Sequence, residues 1–129
     1  MTSYLTVEQV IAIHDEMLRK FGGLSGIRDE NLLHSAVNSP RATFGQRELY
    51  SSIYDKAAAL VYHIARNHPF NDGNKRTSYM ANLIFLKGNK IALNCKKTDL
   101  ERLIIDIAKG KITKEQFAFF LEFGKIPQA

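Results

Sequence analysis

The feature that most constrains this chain is its rhythm. Apolar residues recur at three- and four-residue steps along nearly its whole length, and Gly, Pro or Asn interrupts each run. Thr6 followed by Gln9 forms a capping box, and Val7, Val10, Ile11, His14, Met17, Leu18 and Phe21 continue at helical spacing until Gly22 and Gly23. Asp29 suits the cap of a short second helix to about Val37, halted near Pro40. A long helix is expected over about 48–67, with Ile53, Ala57, Leu60, Val61 and Ile64 on its apolar face; Pro69 disfavours helical geometry at His68 and closes it. Another is expected over 74–87, where Met80, Leu83, Ile84 and Phe85 mark it as the central element of the core. Residues 90–95 read as a short extended piece. Thr98 is expected to cap a helix to about Lys109, with Leu100, Leu103, Ile104 and Ile107 inward, and Thr113 to start the last one, with Phe117, Phe120 and Leu121 inward. The polar stretch 40–49, with Gly45 inside it, reads as a loop or a short hairpin lying over a neighbouring surface. The fold class is therefore all-α, a single domain over residues 1–129, with one short hairpin at most.

Charge narrows the partners without choosing one. The formal net charge is +5, which favours acidic partners such as phosphates, nucleotides, nucleic acid or an acidic protein. The single cysteine, Cys95, rules out an internal disulfide and suits a reducing cytoplasm. It reads as a structural thiol, since no neighbouring His activates it. The N-terminus lacks a basic stretch followed by an apolar one, so no secretory signal is expected. The longest apolar run, residues 57–62, is far too short to span a bilayer.

One stretch contradicts its local setting. Residues 68–76 read HPFNDGNKR, and the N-D-G turn launches a helix whose first turn carries Lys75 and Arg76. A helix start bears partial positive charge, so acidic side chains belong there. The exposed N–H groups of that turn favour an anion, and the lack of a side chain at Gly73 lets one approach the backbone. With a phosphate present, Lys75 supplies a point charge and Arg76 a forked donor. Without one, both simply extend into solvent. Asp72 is a hard oxygen ligand suited to Mg²⁺, or else an ordinary turn residue. His68 can take a proton from a hydroxyl nucleophile, or else serves structure at a helix end. Phe70 is expected to anchor the loop in the core. Asn74 either holds the loop by backbone bonds or touches a phosphate. Together these are the minimum parts for phosphoryl or nucleotidyl transfer. His14, His34 and His63 lack zinc-ligand spacing with Cys95. No G-x-x-x-x-G-K-[ST] or G-x-G-x-x-G loop occurs. Lys87, Lys90, Lys96 and Lys97 read as solvated surface, or as a face for an acidic partner.

The stretch resembles the signature of the Fic/Doc family, H-[PI]-F-x-[DE]-[GA]-N-[GK]-R, and fills every position of it. Residues 7–29 and 65–77 further resemble the Doc branch, the short death-on-curing toxins of toxin–antitoxin pairs; the last thirty or so residues match least. The resemblance implies a compact Fic/Doc-type helical bundle with the motif between two helices. It implies that His68 is the base for a target hydroxyl, that Asp72 holds Mg²⁺, and that Gly73, Asn74, Lys75 and Arg76 cradle the phosphates of ATP. Residues 40–49, among them Arg41, Thr43 and Phe44, would be a flap that docks the target segment. Members that transfer AMP usually continue G-N-G-R-x-x-R; here Lys75 replaces the second glycine and Tyr79 the second arginine. The Doc branch shares the lysine and is similar to a protein kinase that delivers the γ-phosphate to a threonine of translation elongation factor Tu and arrests translation. Gly73, by contrast, is the residue of the AMP-transferring branch, where Doc-type loops can have alanine, and Met80 stands where Doc has a polar residue.

The family's inhibitory pattern, [ST]-x-x-x-E-[GN], does not occur in this sequence. Regulation like that of relatives would then need an antitoxin in trans, a separate polypeptide whose acidic tail the basic surface suits. The expected protein is thus a cytoplasmic, ATP- and Mg²⁺-dependent kinase toxin acting on a translation factor, with no membrane contact and no direct nucleic-acid binding. A protein AMP-transferase is the second reading. The third is a non-catalytic basic helical module, which no helix-turn-helix signature supports as a DNA reader.

Overall fold

In a computed structural model the chain is described over residues 1–126. Six helices follow one another: α1 (Val7–Phe21), α2 (Glu30–Asn38), α3 (Ile53–Asn67), α4 (Asn74–Gly88), α5 (Lys97–Ala108) and α6 (Lys114–Phe123). A 3-10 turn at Ser39–Arg41 follows α2, and a two-stranded hairpin joins it to α3: β1 (Thr43–Phe44) pairs antiparallel with β2 (Arg47–Glu48). The all-α reading with one short hairpin is therefore correct. No helix among the described residues is long and apolar enough to cross a membrane.

The caps explain most boundaries. Thr6 with Gln9 and Thr113 with Gln116 form complete capping boxes on α1 and α6, and Asp29 accepts from the N–H of Leu32 at the start of α2. Ser52 caps α3 through the N–H of Asp55, so that helix starts five residues later than the expected residue 48. Residue 48 instead belongs to β2, where Glu48 faces Thr43. Nor does Thr98 cap α5: it lies within the first turn, and Lys96 is the N-cap without any side-chain bond. Residues 90–95 form no strand. Lys90 takes a positive φ of 64°, and the Ile91 N–H returns to the Leu86 carbonyl, which curls the chain rather than extending it.

The centre of the core is α3, not α4. Ala57, Ala58, Ala59, Leu60, Val61, Ile64 and Ala65 are all buried. The small alanines let neighbours close in, and α3 packs against α2, α4, α5 and α6. On α4 the inward side is largely small and polar: Thr77, Ser78, Ala81 and Asn82 are buried along with Phe85 and Leu86, while Ile84 is exposed. Leu100, Leu103, Ile104 and Ile107 of α5 and Phe117, Phe120 and Leu121 of α6 close the core from the other side, as their spacing predicted.

One buried charge ties the hairpin to this core. Lys56, on α3, is only 2% exposed. Its ammonium donates to the Tyr50 carbonyl at 2.6 Å, to Glu48 Oε1 at 3.2 Å and, more weakly, to the Pro40 carbonyl at 3.5 Å. Both ends of the hairpin segment thus meet on one cation, whereas the strands themselves are exposed. Hydrogen bonds to a charged group are worth about 1.5–3 kcal/mol each net. Removing the cation strands its buried acceptors. Lys56→Met should therefore lower unfolding free energy by about 2–3 kcal/mol and make residues 40–50 the first site of proteolytic cleavage; an unchanged denaturant midpoint would reject this.

Candidate active site

The turn between α3 and α4 gathers the candidate catalytic residues. α3 ends on His68, which takes the left-handed conformation (φ 53°, ψ 62°) that a residue with a Cβ adopts at a cost of roughly 1–2 kcal/mol. Neighbouring groups hold it there. The His68 N–H bonds the Ile64 carbonyl, and Arg28 donates to the His68 carbonyl at 2.6 Å and to the Asn67 carbonyl at 2.8 Å. α4 then begins at a second left-handed residue, Gly73 (φ 74°). A Cβ at Gly73 would lie 3.5–3.7 Å from Leu18 and His14, an ordinary contact directed at α1. The positive φ is itself a reason for glycine at this position.

Between these two residues the loop is braced on three sides. Asn74 is buried; its Oδ1 accepts from the Phe70 N–H and its Nδ2 donates to the Phe70 carbonyl, both at 3.0 Å. Both ends of that amide are therefore committed to the loop, and of its two sequence readings the backbone brace is the one realised. Only the main-chain N–H of Asn74 is left to face an anion. Phe70 is buried, as expected. Its ring stacks on His14 of α1 at 3.8 Å and 6°, and His14 Nε2 lies 2.8 Å from the Asp72 carbonyl. The segment 22–29 closes the third side. Arg28 and Asp29 donate backbone bonds to the Pro69 carbonyl, Asn71 N–H reaches the Gly26 carbonyl, and Ile27 bridges Phe70. The approach is tight enough that a Cβ on Gly23 would sit 2.8 Å from Asp72 Oδ2.

The electrostatics of the turn follow. Among the six helices, four carry a side-chain N-cap; α4 has none, and no acidic residue in its first turn. The other uncapped helix, α5, has Asp99 in that position. The first N–H groups of α4 therefore keep their donor capacity. Lys75 and Arg76 are exposed beside them, and neither forms an ion pair among the described residues. The Arg76 guanidinium lies 4.5 Å over the Phe21 ring, so α1 holds it on one face.

Asp72 accepts from the N–H groups of Leu24 at 3.0 Å and Gly73 at 2.9 Å, and these bonds, with the Arg76 charge, hold its carboxyl below the usual carboxylate range. It is thus ionised at neutral pH, with one N–H on each oxygen and lone pairs to spare. No group of three His, Cys, Asp or Glu side chains converges among the described residues. One exposed, ionised carboxylate beside uncapped helix N–H groups fits Mg²⁺, which is commonly held by one or two carboxylates plus substrate phosphates. Partial desolvation lowers the pKa of His68, and the charges of Lys75 and Arg28 push it the same way. Its imidazole is consequently neutral and able to accept a proton at neutral pH.

The structure thus brings His68, Asp72, Gly73, Asn74, Lys75 and Arg76 into one turn, as their adjacency dictates. The hairpin residues belong to a different segment of the chain. Thr43 and Phe44 lie in β1, with Phe44 83% exposed, while Arg41 is in the 3-10 turn with its guanidinium 4.4 Å over the Tyr4 ring. No hydrogen bond or ion pair among the described residues joins the hairpin to the turn. Sequence reasoning missed His14, Gly23 and Arg28 as parts of the site. For His14 a signal was present: a histidine among apolar residues on the inward stripe of the first helix.

Residues 4–86 match the model of the Fic/DOC family, and the chain belongs to that family. Within it the chain is similar to "Toxin Doc" of Mycolicibacterium smegmatis, 43% identical over 93 residues covering 72% of this chain and 69% of that one. It is also similar to "Protein kinase doc" of Escherichia phage P1, 29% identical over 115 residues covering 89% and 90% of the two chains. These relatives place it on the Doc branch. The matched span includes α1 through most of α4, hence every segment that braces the turn.

A titration of the His68 ring by NMR should show a midpoint below the ordinary 6.5. Lys75→Met should move that midpoint upward only in part, because desolvation is the larger cause. A midpoint at or above 6.5 would remove the neutral base from this description.

Proposed function

We propose that the protein is a Doc-type toxin of a toxin–antitoxin pair: a Mg²⁺-dependent protein kinase that moves the γ-phosphate of ATP to a threonine hydroxyl of translation elongation factor Tu and so arrests translation. The observation that carries this reading is the start of α4. It presents uncapped N–H groups and two cations that form no ion pair among the described residues to one place, next to a histidine kept neutral. The relatives' names, a toxin and a protein kinase, support the class of reaction and an antitoxin partner in trans.

In this reading the first-turn N–H groups of α4, with Lys75 and Arg76, bind and neutralise the phosphate oxygens. His68 takes the proton of the attacking hydroxyl as that oxygen bonds to the γ-phosphorus. The bond from phosphorus to the β-bridging oxygen breaks, and ADP leaves with the electron pair. Asp72 would hold Mg²⁺, which when bound offsets the negative charge shared between the transferred phosphoryl and the leaving group. The exposed β1–β2 hairpin, with Thr43 and Phe44, would receive the target segment, and Arg41 would steady its base against Tyr4. The protein works in the cytoplasm, without membrane or nucleic-acid contact.

AMP transfer from the same site is the second reading, and Gly73 was its main support. Since a Cβ at Gly73 would make only ordinary contacts with α1, glycine or alanine there is a matter of backbone preference and does not distinguish the chemistries. Lys75 and Tyr79 favour the kinase. Tyr79 adds no cation, and its hydroxyl stands near Glu101 and Cys95, toward α5.

Incubation with the elongation factor and ATP labelled at the α or γ position decides between them: γ-label on the factor is expected, and α-label would replace the kinase with an AMP-transferase. His68→Ala and Asp72→Ala should each cut transfer by about 10²-fold or more. His68→Ala should melt close to wild type because its side chain is exposed, whereas Asp72→Ala should melt lower, because its carboxylate accepts from the Leu24 and Gly73 N–H groups. Lys75→Ala should chiefly raise the KM for ATP. Toxicity that survives His68→Ala would instead favour a non-catalytic binding module.

A further inference from the structure

We infer that His14 is a positioning residue of this site: it sets the orientation of the first turn of α4 by holding the Asp72–Gly73 peptide. The inference rests on the phosphate-binding reading of that turn, and extends it to a residue on another helix.

His14 lies among Val10, Ile13 and Met17 on the buried stripe of α1 and is itself 2% exposed. A polar group so buried costs about 1–3 kcal/mol if left unpaired. Its partner is the Asp72 carbonyl, 2.8 Å from Nε2. A carbonyl can only accept, so Nε2 carries the hydrogen. The other end of the same peptide is fixed as well, since the Gly73 N–H donates to Asp72 Oδ1. With both ends held, the peptide cannot rotate without breaking a bond. The next residue, Gly73, has the left-handed conformation in which rotation is otherwise easiest. The flat stack of the imidazole on Phe70 fixes the ring that makes the bond. His14 therefore acts through main chain: the direction of the Asn74, Lys75 and Arg76 N–H groups follows from the peptide that it grips.

The two contacts of His14 can be separated. His14→Phe keeps a flat ring against Phe70 and removes the donor; His14→Gln keeps a donor and removes the ring. Both proteins are followed by thermal melting, by kcat and KM for ATP, and by the amide resonances of Gly73 to Arg76. His14→Phe is expected to melt near wild type, to lose about 10²-fold in kcat through misplacement, to raise the KM for ATP, and to shift those four resonances but not those of α5 and α6. His14→Gln is expected to recover most of kcat. Wild-type kinetics with unshifted resonances in His14→Phe would overturn the inference. If His14→Phe fails to fold, His14→Gln decides: a folded glutamine variant with near wild-type kcat supports it, and one as slow as His14→Phe was expected to be overturns it. If the wild-type protein transfers no phosphoryl group at all, the functional reading fails, and the four amide resonances alone decide the role of His14.

Discussion

The turn between α3 and α4 is held open against its own preferences by the segment that follows α1. Two left-handed residues, His68 and Gly73, bracket it. Arg28 grips the carbonyls at one end, the backbone of residues 26–29 pairs with residues 69–71, and Leu24 meets the Asp72 carboxylate at the other. The left-handed state of His68 would not persist in an isolated peptide at a cost of roughly 1–2 kcal/mol. It persists because several hydrogen bonds, each worth about 1 kcal/mol net, act on the same few atoms. The geometry of the nine-residue motif therefore belongs as much to residues 14–29 as to itself.

The placement of charge has the same logic. Cations in the first turn of a helix are unfavourable by about 0.3–1 kcal/mol apiece. The fold reduces this by leaving Lys75 in solvent and laying Arg76 over Phe21. Neither forms an ion pair among the described residues, so the region keeps a local excess of positive charge. That excess also acts on His68, whose proton affinity it lowers along with desolvation. One arrangement thus does two things: it favours an anion at the helix start, and it keeps the neighbouring imidazole in its basic form.

Much of this was legible in the sequence, for definite reasons. Helices α1, α2 and α6 were readable from their caps, because Thr6, Asp29 and Thr113 act within three residues of their partners. The inward faces of α5 and α6 followed from spacing alone. The failures were of another kind. The start of α3 was misplaced because strand pairing between Thr43 and Glu48 competes with helix extension, and pairing is not local. α4 was given the central position for its apolar residues, yet the alanines of α3 matter more, since closeness of approach rather than hydrophobicity decides which helix can be surrounded. Within the site, His68, Asp72, Lys75 and Arg76 of the motif are exposed in one turn. The brace that Asn74 makes on Phe70 was one of its two readings, but nothing local gave a sign of Lys56 buried beneath the hairpin or of His14 reaching across fifty-eight positions to Asp72.

The single ammonium beneath the hairpin has a consequence for what lies above it. Lys56 fastens Pro40, Glu48 and Tyr50, and the strand residues between them are exposed. The tip at Gly45, where an added Cβ would meet nothing within 4 Å, is insulated from the interior. Substitutions there change what the hairpin presents without disturbing the packing that shapes the catalytic turn. The exposed face of the hairpin and the geometry of the turn between α3 and α4 are in this sense separable.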